Sequence, residues 1–90
     1  KNEFYAKLKS QLEDTSKFPT DYLYKFIVPS AKNQVLEVEA LFDGTGAVIH
    51  TKKSKTGKYV SVSIVLNVSS SEKVIEYYKK AERIEGIISL

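Results

Sequence analysis

The sequence predicts an α+β domain: a four-stranded antiparallel sheet with two helices on one face and an additional N-terminal helix. Three features point there. Asp21 to Val28 and Tyr59 to Val68 alternate their residues with the period of two that separates the faces of a strand. Three other stretches, near 3–13, 30–42 and 69–83, repeat apolar groups at helical spacing. Ninety residues with 42% hydrophobic content build one core, because chains divide into separate cores only at several times that length.

The first helix, over 3–13, aligns Phe4, Leu8 and Leu12, with Tyr5 three residues before Leu8 and a Glu3–Lys7 pair four apart. Such a stripe needs a cover, so this helix is expected to pack on the domain through Phe4, Leu8 and Leu12. Phe18–Pro19 breaks the pattern, since proline disfavours helical geometry in the residue before it. The strand that follows sets Tyr22, Tyr24, Phe26 and Val28 on one face and Leu23, Lys25 and Ile27 on the other. After Pro29, Ser30 can accept the first free amides of a helix reaching Phe42, with Ala31, Val35, Val38 and Phe42 on one side. Asp43 to Gly46 turns the chain, Gly44 being suited to a left-handed cap.

Ala47 to Lys52 reads as the second strand, Ser54 to Gly57 as a hairpin loop, and Tyr59 to Val68 as the third strand. On that strand Val60, Val62, Ile64, Leu66 and Val68 share a face. Ser69, three residues before Glu72, has the spacing of a capping box that opens a last helix to about Arg83. Its apolar side combines Val74, Ile75, Tyr78 and Ala81, and beyond Gly86 the run Ile87 to Leu90 reads as a fourth strand. The order after the opening helix is strand, helix, strand, strand, helix, strand, the split pattern of the ferredoxin-like fold. One domain is expected, with a helix at 1–14 ahead of a core at 20–90. The first and third strands then lie centrally with their apolar faces toward the helices. The opposite face collects Lys25, Tyr59, Ser61, Ser63 and Asn67.

Composition narrows the chemistry. With no Cys there is no disulfide, thiolate metal site or cysteine nucleophile, and a cytoplasmic setting is expected. The lone His50 has no second His to share a metal with, so no metal site and no cofactor are expected. Glu37 and Glu39 point in different directions on a helix, Glu13 and Asp14 sit near a helix end, and no base stands ready beside a Ser or Thr. An enzyme is not expected. Gly44–Thr45–Gly46 follows a helix and opens a strand, the reverse of a phosphate-binding turn. No apolar run is long enough for a membrane span.

The net charge of +3 is unevenly placed. Between Gly44 and Ser71 stand four lysines, Lys52, Lys53, Lys55 and Lys58, and no acid, so the rest of the chain is nearly balanced. Such a hairpin can protect a strand edge from pairing or contact an anion. RNA is disfavoured because Tyr22, Tyr24 and Phe26 fall on the helix-covered face, leaving mainly Tyr59 to stack on bases.

Phe18, Pro19, Thr20, Tyr22, Tyr24, Lys25 and Phe26, together with the run Ser54 to Ile64, resemble the YbeD-like family of small bacterial proteins of unknown function. The resemblance spans about residues 14–90. It implies a fold similar to the ACT regulatory domains that bind amino acids and control metabolic enzymes, and hence regulation; it carries over no ligand or catalytic residue. Two readings follow. The first is a non-enzymatic, ACT-like regulatory or interaction domain, expected to be homodimeric through its strand edges, acting on a partner protein or small effector. Its candidate site is Lys25 with the Tyr59, Ser61 and Ser63 hydroxyls, unless Lys25 simply reaches water or pairs with an acid of the opening helix such as Glu13. The alternative is an RNA- or polyanion-binding module that uses the 52–58 hairpin.

Overall fold

The computed structural model describes residues 2–90; Lys1, the first position of the expected 1–14 helix, lies outside the described residues. The elements are α1 (Asn2–Thr15), β1 (Thr20–Pro29), α2 (Gln34–Leu41), β2 (Val48–Lys53), β3 (Tyr59–Val68), α3 (Ser71–Ala81) and β4 (Ile88–Ser89). The sheet runs β2-β3-β1-β4, all pairs antiparallel. β1 and β3 are therefore central and pair along their whole lengths, from Thr20 opposite Val68 to Pro29 opposite Tyr59.

Alternation does the rest. Tyr24, Phe26 and Val28 from β1 and Val60, Val62, Ile64, Leu66 and Val68 from β3 are buried against Val38, Phe42, Val74, Ala81 and Ile84. The Tyr24 ring lies 5.0 Å from that of Tyr78 and 5.4 Å from that of Phe42. Its hydroxyl donates to the Val74 carbonyl at 2.9 Å, so the one polar atom of this central ring is satisfied. Burial holds the Tyr24 and Tyr78 phenols well above their ordinary range.

Four expectations are corrected. α1 packs on α3 through Tyr5, Leu8 and Leu12, while Phe4 is 64% exposed. The choice between adjacent aromatics is settled by Glu82, whose Oε2 accepts from the Tyr5 hydroxyl at 2.7 Å. Second, Ser30 caps no helix. Its amide donates to Lys58 O at 2.9 Å and its hydroxyl donates to Gly57 O, so residue 30 stays tied to the start of β3. α2 begins only at Gln34, after Asn33, and Ala31 is exposed ahead of it. Third, the cap of α3 is Ser70, not Ser69: Ser70 Oγ accepts from the Lys73 amide at 3.2 Å. Glu72 instead pairs with Lys9 at 3.3 Å across the α1–α3 contact. Its own amide, then Lys9, holds the Glu72 carboxyl below its usual range.

Last, β4 is shorter than the expected 87–90, although Leu90 N–H still donates to Lys25 O at 2.9 Å. Gly86 delivers the chain to β4 with φ at +75°, and a Cβ there would meet Pro29 Cγ at 2.8 Å. Both the turn and the close approach require glycine.

Candidate functional site

The face of the sheet away from the helices is uncovered by any other element among the described residues. β1 contributes Asp21, Leu23, Lys25 and Ile27, and β3 contributes Tyr59, Ser61, Ser63, Val65 and Asn67, as the period of two requires. Register adds the outer strands. Val48, Val65 and Leu23 form one row across three strands; His50, Ser63 and Lys25 form the next; Lys52, Ser61 and Ile27 form the third, which continues to Ile88 on β4. The Leu90 amide bond to Lys25 O carries Leu90 to the end of the middle row.

The expected site is thus partly assembled. Lys25 stands directly opposite Ser63, and Ser61 lies one row on, but Tyr59 is a further row away, opposite Pro29. Ser61 Oγ donates to Lys52 O at 3.4 Å, which leaves its hydroxyl free to accept rather than to donate. Lys25 has no carboxylate partner among the described residues. The pairing with Glu13 considered from sequence is not made, because the Glu13 carboxylate accepts from Ser71 Oγ at 3.0 Å on the opposite side of the sheet.

The patch is also more apolar than the sequence suggested. Leu23 is 58% exposed, Val48 55% and Val65 38%, and Tyr59, Ile88 and Leu90 are exposed on the same side. Outside this face, the large apolar side chains exposed among the described residues are Phe4 and Leu36, both on helices. Val65 was legible in the alternation of β3. Val48, Ile88 and Leu90 join it only through the registers of β2 and β4.

The hairpin lysines are held by a tight loop. Ser54 N–H donates to Tyr59 O at 2.9 Å and Gly57 N–H donates to Ser54 O at 3.0 Å. A cleft of about 310 Å³ at the sheet corner is lined by Ile27, Lys52, Lys53, Ser54, Lys55 and Ser61. It joins three of the four expected anion contacts to one residue of the other candidate set; Lys58 is not part of its wall. None of the four lysines has an acid partner among the described residues.

A larger cleft, about 500 Å³, lies between α1 and α3 over Tyr5, Ala6 and Ile75. Its charges are already used: Lys9 binds Glu72, Glu76 binds Lys73 and Lys80 at 3.5 Å each, and Lys79 sits 5.5 Å above the Tyr5 ring. A ligand there would have to displace these contacts. His50 is exposed on β2, and among the described residues no three His, Cys, Asp or Glu side chains gather as metal ligands.

Residues 13–90 match the model of a family described as protein of unknown function (DUF493). The chain belongs to this family. It is 34% identical to the UPF0250 protein YbeD of Escherichia coli O1:K1 over 84 residues, covering 87% of this chain and 93% of that protein. The YbeD protein of Shigella boydii serotype 18 matches to the same extent. Among solved structures, protein HP0495 from H. pylori superposes with a TM-score of 0.66 at 19% identity, over 84% of this chain and 86% of that one. The ACT domain from the GTP pyrophosphokinase of Chlorobium tepidum superposes with a TM-score of 0.56 at 12% identity, over 79% of this chain and all of that one. The DUF493 chain thus has an ACT-like, ferredoxin-like fold. Among its described residues no helix is long and apolar enough to cross a membrane.

Proposed function

We propose that this DUF493 protein is a non-enzymatic regulatory or interaction domain of the cytoplasm that works through its open sheet face. The observation that supports this reading is the joining of exposed Leu23, Val48 and Val65 to unpaired Lys25 and Lys52 on one uncovered surface. Contiguous exposed apolar surface rimmed by polar residues is the kind that marks contact sites. The ACT-like fold agrees with a regulatory role. Homodimerisation along the exposed edge of β2 belongs to the same proposal and leaves the face free.

Affinity capture from the protein's own cells tests it. Wild type should retain a partner or effector that Lys25→Ala and Val65→Asp each lose at least several-fold, with both variants still folded. Equal capture by all three proteins refutes the reading. A second reading, polyanion contact by the 52–58 hairpin, is favoured by its four acid-free lysines. Four phosphate contacts would give single-stranded RNA binding a log–log salt slope of about −3.

A further inference from the structure

We propose that the open face binds an acidic amphipathic helix of a partner protein. This inference rests on the reading of that face as the working surface and names the class of its occupant.

The shape comes first. An extended segment joins a sheet by hydrogen bonding along an edge, whereas a face offers only side chains and is covered by packing. A helix of about 10 Å diameter spans two to three strands spaced about 4.8 Å apart. That is the width of the Val48–Val65–Leu23 row. A helix also presents one apolar stripe with polar flanks, and the face likewise sets its apolar Val48–Val65–Leu23 row beside a row holding Lys25, Ser63 and His50.

Charge then selects the partner. The cations on or beside the face are Lys25 and Lys52, with Lys53 and Lys55 at the corner cleft, and none has an acid partner among the described residues. The acid on this face, Asp21, stands in the row next to Leu23 and Val65, on the side away from the lysines, and accepts from Asn67 Nδ2 at 3.0 Å. Acidic flanks on the incoming helix would meet these ammonium groups and gain from electrostatic steering. A second copy packed face to face would instead set the same lysines against each other. Nucleic acid fits poorly as well, since Leu23, Val48, Val65 and Ile88 are aliphatic and Tyr59 supplies the aromatic ring of the face.

The test uses a labelled synthetic helix with leucines on one stripe and glutamates on both flanks, followed by fluorescence anisotropy and amide chemical shifts of the full chain. It should bind at least tenfold more tightly than the same peptide with lysines in place of glutamates. Val65→Asp and the pair Lys25→Glu with Lys52→Glu should each weaken it at least tenfold at unchanged melting temperature. The shifts should centre on residues 23, 25, 48, 50, 63 and 65. Equal affinity for both peptides, shifts centred on the α1–α3 cleft, tighter binding of poly-uridine RNA, or a dimer abolished by Val65→Asp would each overturn the proposal. If wild type captures a cellular partner in a Val65-dependent way but ignores the acidic helix, the class of partner is wrong and the working face stands. If capture is indifferent to Val65, the face itself is wrong.

Discussion

The two faces of the sheet are made from the same strands and share almost nothing else. On one, Tyr24, Phe26, Val62 and Ile64 are fully buried; on the other, their immediate neighbours Leu23, Lys25, Ser63 and Val65 meet solvent to varying degrees. The asymmetry follows from connectivity. β1 reaches its parallel counterpart β2 through α2, and β3 reaches β4 through α3. Crossovers between parallel strands keep one hand, so both helices land on the same side. α1 then packs on α3 and adds Leu12 to the same core. Nothing in this topology covers the second face, and its aliphatic row is left facing water.

The comparison breaks most readily at Ile64. Truncation to Ala should cost about 2 to 5 kcal/mol by lost burial and cavity formation, a large share of the roughly 5 to 14 kcal/mol expected for a chain of this length. Denaturant unfolding measures it. A loss below about 0.5 kcal/mol would place Ile64 outside the core and dissolve the distinction between the faces.

A single exchange made on both faces sharpens the contrast. Val62→Thr buries a hydroxyl among apolar groups and should destabilise by about 1 to 3 kcal/mol. Val65→Thr, three residues along the same strand, keeps the β-branch in a half-exposed place and should stay within about 0.5 kcal/mol. Similar losses at both positions would mean that the open face is a second core surface rather than a docking surface.

How much of this was legible depended on how local the deciding contacts are. β3 begins and ends where its unbroken alternation does, and the face assignment of Tyr24, Phe26, Val62 and Ile64 needs only the period of two. The start of α2 was not legible, because Ser30 is held by Gly57 and Lys58 across the sheet. Tyr5 displaces Phe4 from the interface through a hydrogen bond to Glu82, 77 residues away. For the candidate site, Lys25 beside Ser63 follows from two central antiparallel strands. The rows through Val48 and Ile88, and the cleft uniting Ser61 with Lys52 and Lys55, depend on the registers of outer strands too exposed or too short for their pattern to fix.

A smaller effect tests the covered side at the helix that closes it. Ser70→Ala removes the acceptor for the Lys73 amide and should lower stability by about 1 kcal/mol. Ser69→Ala should leave it nearly unchanged. The reverse order of losses in thermal unfolding would restore the capping box at Ser69.

The last effect concerns the N-terminal helix, where Tyr5 ties α1 to the end of α3. Burial, then the hydrogen bond to Glu82 and the charge of that carboxylate, push its phenol up from 10.0 to about 12. A proton held more tightly when folded contributes stability that is complete below the unfolded value and is lost as pH climbs through the folded one. Wild type should therefore lose a contribution between pH 10 and about 12 that Tyr5→Phe never had. At neutral pH the variant should be the less stable of the two, by no more than about 1.5 kcal/mol for one hydrogen bond to a charged group that water can reach. Through the alkaline window the difference should shrink, while the other ionising groups, common to both proteins, cancel. Stability curves that fall in parallel from pH 9 to 12 would show that the Tyr5 phenol does not couple α1 to the domain.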